Sequence, residues 1–146
     1  LQVYSVSMIL TNIIYQYSLP TDSVGETTTK IKILALFSSI IITVVTILLA
    51  PFIMPIIFPE YNEAISAIQI ISLAVIPATI SLLLTSKILG DEKSRILVLN
   101  RIVFAVVFIG LVLTLTPIYG IMGTTMGFLV ASITQCIMLI TYFKLK

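Results

Sequence analysis

Three runs of this chain contain no charged side chain: positions 33–59, 64–86 and 102–143. A bilayer core of about 30 Å takes roughly 20 helical residues to cross, so each run is long enough to span. In hydrocarbon every backbone N–H and C=O must be bonded within the protein, and a helix does this within one segment. The third run is twice the length one helix needs, and Pro117-Ile118-Tyr119-Gly120 stands where a hairpin should divide it. A further uncharged stretch, 1–19, holds Ser5, Asn12 and Gln16 and ends at Pro20. The sequence reads as an all-α, polytopic membrane helix bundle of about five transmembrane helices, near 1–19, 31–58, 64–89, 96–116 and 120–143.

Composition agrees. Hydrophobic residues make up 59% and charged residues 10%, and the mean hydropathy is +1.21. A soluble domain carries about 25% charged residues, and eight basic plus six acidic side chains cannot cover its surface. The net charge of +2, with no basic run, gives no footprint for a nucleic-acid partner. There is no histidine, the commonest acid–base catalyst and metal ligand. Cys136, the only cysteine, has neither a disulfide partner nor a base to activate it. The carboxylates Asp22, Glu26, Glu60, Glu63, Asp91 and Glu92 all fall in connections. No acid–base pair, metal cluster or intramembrane acid results, so neither an enzyme nor a cofactor or metal site is expected. The chain opens at Leu1 inside an apolar stretch, with no charged n-region and no small-residue cleavage site. It therefore reads as part of a longer polytopic protein rather than as one led by a signal peptide.

The cations order the helices across the membrane. Lys30 and Lys32 precede the second predicted helix, Lys87, Lys93, Arg95 and Arg101 surround the third connection, and Lys144 and Lys146 follow the fifth helix. The connections at 59–63 and 117–119 carry no Lys or Arg. Basic excess marks the cytoplasmic side, which predicts a multi-pass protein of the cell membrane with its C-terminus in the cytoplasm.

At 100° per residue, Ala35, Ser39, Thr43, Thr46 and Ala50 share one stripe of the second helix. Gly120, Gly123, Gly127, Ala131 and Thr134 share one stripe of the fifth. Small residues let helix backbones approach closely, so these stripes predict packing seams. Gln69, Ser72, Thr79 and Ser86 share an arc of the third helix, and Ser5, Asn12 and Gln16 fall together on the first. These arcs are either packing seams or walls of a polar cavity. Arg101, beside Asn100, lies more than one turn inside the fourth helix. An arginine at a helix centre costs about 2.5–3.5 kcal/mol on insertion scales. It either snorkels to the headgroups or faces an internal cavity and binds an anionic group such as a lipid-linked phosphate.

The order of features resembles a known family. Ala50-Pro51-Phe52-Ile53-Met54-Pro55-Ile56-Ile57-Phe58, followed by Pro59-Glu60-Tyr61-Asn62-Glu63-Ala64, resembles the proline-rich junction of the polysaccharide and O-antigen flippases. These belong to the multidrug/oligosaccharidyl-lipid/polysaccharide exporter superfamily. Gly90-Asp91-Glu92-Lys93 is similar to the family's short G-x-x-K turn, and Pro117-Ile118-Tyr119-Gly120-Ile121-Met122-Gly123 to its P-x-Y-G-I-x-G turn. Tyr4-Ser5-Val6-Ser7 through Pro20 is similar to a Tyr-Ser-led helix of the family. Pro59 stands where the family usually has glycine, and Thr124-Thr125 where it commonly has alanines.

The resemblance implies the C-terminal part of a larger two-bundle transporter, moving a lipid-linked oligosaccharide by alternating access. Its partners would be that substrate, on a polyprenyl phosphate or diphosphate carrier, the membrane lipids and the N-terminal helices of the same protein. Arg101, Asn100, Gln69, Asn12 and Gln16 are the substrate-path candidates, and Pro51, Pro55 and Pro77 the hinge candidates. A drug or small-solute exporter of the same superfamily and a non-transporting membrane scaffold subunit are the alternatives.

The charge asymmetry is directly testable. In a Cys136→Ala background, a cysteine at position 62 should react with a membrane-impermeant maleimide from outside the cell. Reaction from the cytoplasmic side alone would invert the topology.

Overall fold

The computed structural model describes positions 8, 9, 12, 13, 16, 29–57, 64–90 and 94–144. Its helices are α1 (Thr29–Ile57), α2 (Ala64–Leu73), α3 (Val75–Gly90), α4 (Ser94–Tyr119) and α5 (Ile121–Lys144). α2 and α3 are halves of one span. Four helices are thus long and apolar enough to cross a membrane, over Lys32–Ile56, Ile65–Leu89, Arg95–Tyr119 and Ile121–Lys144. The chain is a multi-pass membrane helix bundle. The expected helix at 1–19, apart from five of its positions, and the connection at 59–63 lie outside the described residues.

The helices form a sequence of neighbours: α4 packs chiefly on α5, α5 on α2 and α3, and these on α1. α4 and α5 make an antiparallel hairpin around Gly120, whose φ of 57° is the left-handed conformation that glycine adopts without steric cost. Pro117, expected in the connection, stands in the last turn of α4 instead. A proline withholds its own N–H and crowds the carbonyl four residues back, here that of Leu113, but leaves the N–H groups after it free to bond. The Gly120 N–H still donates to the Thr116 carbonyl at 2.8 Å, so the helix runs on to Tyr119 and one residue makes the reversal.

Most of each small-residue stripe lies in a packing seam, while Gly120 is exposed and Thr46 and Thr134 are half-buried. On α1, Ala35, Ser39, Thr43 and Ala50 are buried, while Phe37, Ile41, Leu48 and Phe52 are exposed on the apolar surface that a membrane would solvate. Thr43 Oγ1 donates to the Ser72 carbonyl at 3.2 Å, and Gln69 Nε2 to the Ile47 carbonyl at 3.3 Å. The pairs 43 with 72 and 47 with 69 set α1 antiparallel to α2. On α5, Gly123, Gly127 and Ala131 are buried. A Cβ added at Gly123 would run into the Leu115 carbonyl group and come within 2.9 Å of the Thr116 nitrogen. One added at Gly127 would meet the Leu111 Cβ at 3.3 Å. The backbones of α4 and α5 therefore touch near the turn and diverge slightly beyond it. Thr116 and Thr124 share a hydroxyl–hydroxyl hydrogen bond of 3.0 Å there. Farther along, Phe128 meets Phe104 and Phe108 edge-on, both with centroids 5.8 Å away.

The span 64–90 breaks at Ala74. Pro77 has no N–H to give the Leu73 carbonyl, and the Ala74 N–H tightens to the Ile71 carbonyl at 3.1 Å. α1, by contrast, continues through Pro51 and Pro55 without interruption. At the far end of the span Lys87 Nζ sits 5.3 Å from the Phe143 ring centroid, so α3 and α5 end together. Lys32, Lys87, Arg95, Arg101 and Lys144 consequently stand toward one end of the bundle.

The glycine geometry orders the cost of substitution. Overpacking costs about 1–3 kcal/mol, and at Gly123 the obstacle is backbone, which cannot rotate away. Gly123→Ala should lower the thermal unfolding midpoint of purified protein more than Gly127→Ala. Gly127→Leu should reduce the monodisperse yield more than Leu129→Ala. Equal midpoints for wild type and Gly123→Ala would show that the hairpin does not close this tightly.

Candidate functional site

A cavity of about 270 Å³ lies where α3, α4, α5 and the segment around Met8 and Asn12 converge. Ala78, Ser81, Leu82 and Thr85 line it from α3, at the i, i+3, i+4, i+7 spacing of one helix face. Met8 and Asn12 contribute from one turn of the first segment, Gln135 from α5 and Arg101 from α4. The hairpin register explains the last two. Pairing Gly127 with Leu111 and Phe128 with Phe108, carried down the hairpin, brings Gln135 level with Arg101.

The wall is polar in an otherwise apolar bundle. Ser81, Thr85 and Gln135 are 4%, 8% and 7% exposed. The Thr85 hydroxyl is committed to the Ser81 carbonyl at 2.7 Å. Ser81 Oγ has the Cys136 thiol beside it but no partner that meets hydrogen-bond geometry. Buried polar groups are nearly always bonded, so a buried hydroxyl without hydrogen-bond geometry to any partner calls for an explanation. Asn100 Oδ1, on the residue before Arg101, is also buried and unpartnered.

Arg101 stands six residues past Arg95, roughly 9 Å along α4 at 1.5 Å per residue. No carboxylate falls within any of the four spans. Arginine stays protonated in proteins and presents a planar fork of donors. The set combines one permanent cation with hydroxyl and amide groups. The chemistry of such a wall suits an anion or a hydroxyl-rich group.

Of the residues singled out by sequence, Arg101 and Asn12 come together at this cavity. Asn100 is buried beside it in α4 without lining it. Gln69 lies elsewhere, spending its amide on the α1 seam, and Gln16 is exposed. Among the hinge candidates, Pro77 stands three residues after the break, whereas Pro51 and Pro55 are exposed on a continuous helix. Sequence reasoning missed Ser81, Thr85 and Gln135. Their signal was the face shared by Ala78, Ser81, Leu82 and Thr85, and the lone amide of α5.

No protein-family model, curated protein or solved structure matches this chain.

The contrast between the two polar groups predicts opposite behaviour. Ser81→Ala removes a hydroxyl with no partner that meets hydrogen-bond geometry and should not lower the unfolding midpoint. Gln69→Leu breaks a bond between helices and should cost about 0.5–1.5 kcal/mol. A large destabilisation by Ser81→Ala would show that its hydroxyl is engaged in the fold.

Proposed function

We propose that this chain is part of a flippase-like transporter that carries a lipid-linked oligosaccharide, a polysaccharide precursor, across the cytoplasmic membrane. In this reading the segment at 1–19 completes five helices, the basic end faces the cytoplasm together with the C-terminus, and N-terminal helices supply a second bundle. The observation that carries it is the cavity that Arg101 lines together with Asn12, Ser81, Thr85 and Gln135, a polar recess in an otherwise apolar bundle. A sugar headgroup on a phosphate carrier needs such a path, because neither hydroxyls nor charge cross hydrocarbon unaided. The hydrocarbon tail needs none. The break at Ala74 supplies a bend near the middle of the span that lines the recess, as rocking of rigid helix groups requires.

The test uses the full-length protein in a flippase-deficient strain, with membrane insertion measured alongside. Hydrogen bonds to charged groups contribute about 1.5–3 kcal/mol, so Arg101→Gln should lower transport roughly ten- to a hundred-fold. Arg101→Lys should be intermediate, since lysine keeps the charge but not the bidentate fork. Full transport by Arg101→Gln at normal expression would leave Arg101 as a snorkelling residue and remove the recess from the substrate path.

A further inference from the structure

Toward the Gly120 turn, the polar lining of the recess gives way to aromatic rings on both arms of the α4–α5 hairpin. On α4, Arg101, Phe104 and Phe108 share one stripe at i, i+3, i+7 spacing, and on α5 Phe128 and Gln135 share another at i, i+7. Arg101 and Gln135 line the recess. The rings stand nearer the turn, Phe104 about 4.5 Å and Phe108 and Phe128 about 10.5 Å along their helices from those two residues. Phe104 and Phe108 are stacked with centroids 6.0 Å apart, and Phe128 meets both at nearly a right angle. Each ring thus touches the other two. The third side is α3, where Ala78 lines the recess and Val75 and Ala74, nearer the break, have no exposed surface. Hydroxyls at this level are spent on backbone: Ser132 donates to the Phe128 carbonyl and Thr79 to the Val75 carbonyl, both at 2.8 Å. A polar solute moving from the recess toward the turn therefore meets carbon.

We infer that Phe104, Phe108 and Phe128 form an apolar gate between the polar recess and the turn end of the bundle. A polar solute enters the recess from the basic end and goes no farther while the rings are in contact. An apolar constriction excludes water and polar groups because it offers them no hydrogen bonds, so it closes by dewetting without having to be sterically sealed. Holding the hairpin together does not call for three rings. The close approaches at Gly123 and Gly127 already do that, and apolar contact gains little when the alternative solvent is lipid. Ring–ring contacts are directional, and these join two different helices, so a small shift of α5 against α4 parts Phe128 from the other two without breaking a backbone hydrogen bond. The inference concerns the route through the bundle, holds for any polar solute, and stands apart from the flippase reading.

The experiment uses the full-length protein in a Cys136→Ala background, with Ala78→Cys as the reporter in the recess wall. Intact cells and inside-out vesicles are each treated with a charged, membrane-impermeant methanethiosulfonate. Lys144→Cys marks the basic side and Tyr119→Cys the turn side, since both positions are exposed at their own ends of the bundle. Ala78→Cys should react from the basic side, and roughly ten-fold more slowly from the turn side. Phe128→Ala should abolish that difference, whereas Phe128→Leu, which keeps the gap filled with carbon, should preserve it. Phe104→Ala opens the gate from the other helix and supplies the same test where Phe128→Ala does not insert. Unchanged rates at positions 119 and 144 report an intact fold in each variant. With all three rings in place, reaction of Ala78→Cys equally from both sides, or from the turn side alone, would overturn the gate. So would a sidedness that survives both alanine variants, or one that Phe128→Leu removes as fully as Phe128→Ala.

Discussion

In a hydrocarbon solvent an apolar side chain gains nothing by leaving lipid for another helix, so the bundle depends on contacts that lipid cannot imitate. The closest is the approach of α5 to α4 at Gly123, where the glycine lies against the Leu115 carbonyl. That approach fixes the hairpin register, and the register determines everything along it. It brings Thr124 to Thr116, sets Phe128 edge-on between Phe104 and Phe108, and levels Gln135 with Arg101. α4 has few other neighbours among the described helices. Its arginine is positioned by a contact made about four turns away.

On the other side of α5 the seams are polar as well as close. Thr43 and Gln69 donate to carbonyls across the α1–α2 interface, and the first of these bonds reaches Ser72, immediately beside the broken turn. A proline-induced break leaves a carbonyl without its helical donor, which would be costly in hydrocarbon unless the surroundings are polar. Thr79, buried on α3, bonds back to the Val75 carbonyl and also reaches Met8 Sδ at 3.9 Å. Side-chain hydroxyls thus surround the bend on both faces. The same polarity that makes the break tolerable continues down α3 as Ser81 and Thr85, and so into the cavity wall.

These features explain what was readable beforehand. Spans follow from runs without charge, because inserting a charge is the largest local cost a membrane imposes. Seams follow from small residues at helical spacing, and Ala35, Ser39, Thr43, Gly123, Gly127 and Ala131 lie in them. The exact end of α4 was less readable, since Pro117 forbids one hydrogen bond and the helix absorbed that loss in its last turn. The cavity was readable only in part. A single helix shows which residues share a face but not how far its neighbour is rotated or shifted. Gln69 and Ser81 are both polar residues on the same span, yet only the relation to α1 and α5 decides that one closes a seam and the other faces a recess. Gln135 became significant through the hairpin register, which depends on where the reversal occurs to within a single residue.

Arg101 brings these levels together. A cation this far along a span must satisfy its donors, and its side chain is long enough to do so at the membrane surface. Snorkelling accounts for its charge but not for its neighbours. Arg95 already supplies a cation nearer the end of α4, and the hydroxyl of Ser81 and the carbonyl oxygen of Asn100 are buried without a partner that meets hydrogen-bond geometry. Apolar side chains of the same shape at 81 and 100 would relieve the desolvation cost of two buried, unpartnered oxygens. Ser81, Thr85 and Gln135 nonetheless set polar groups beside Arg101 where apolar ones would fill the same space, and a wall of this kind suits a ligand with both charge and hydroxyl groups.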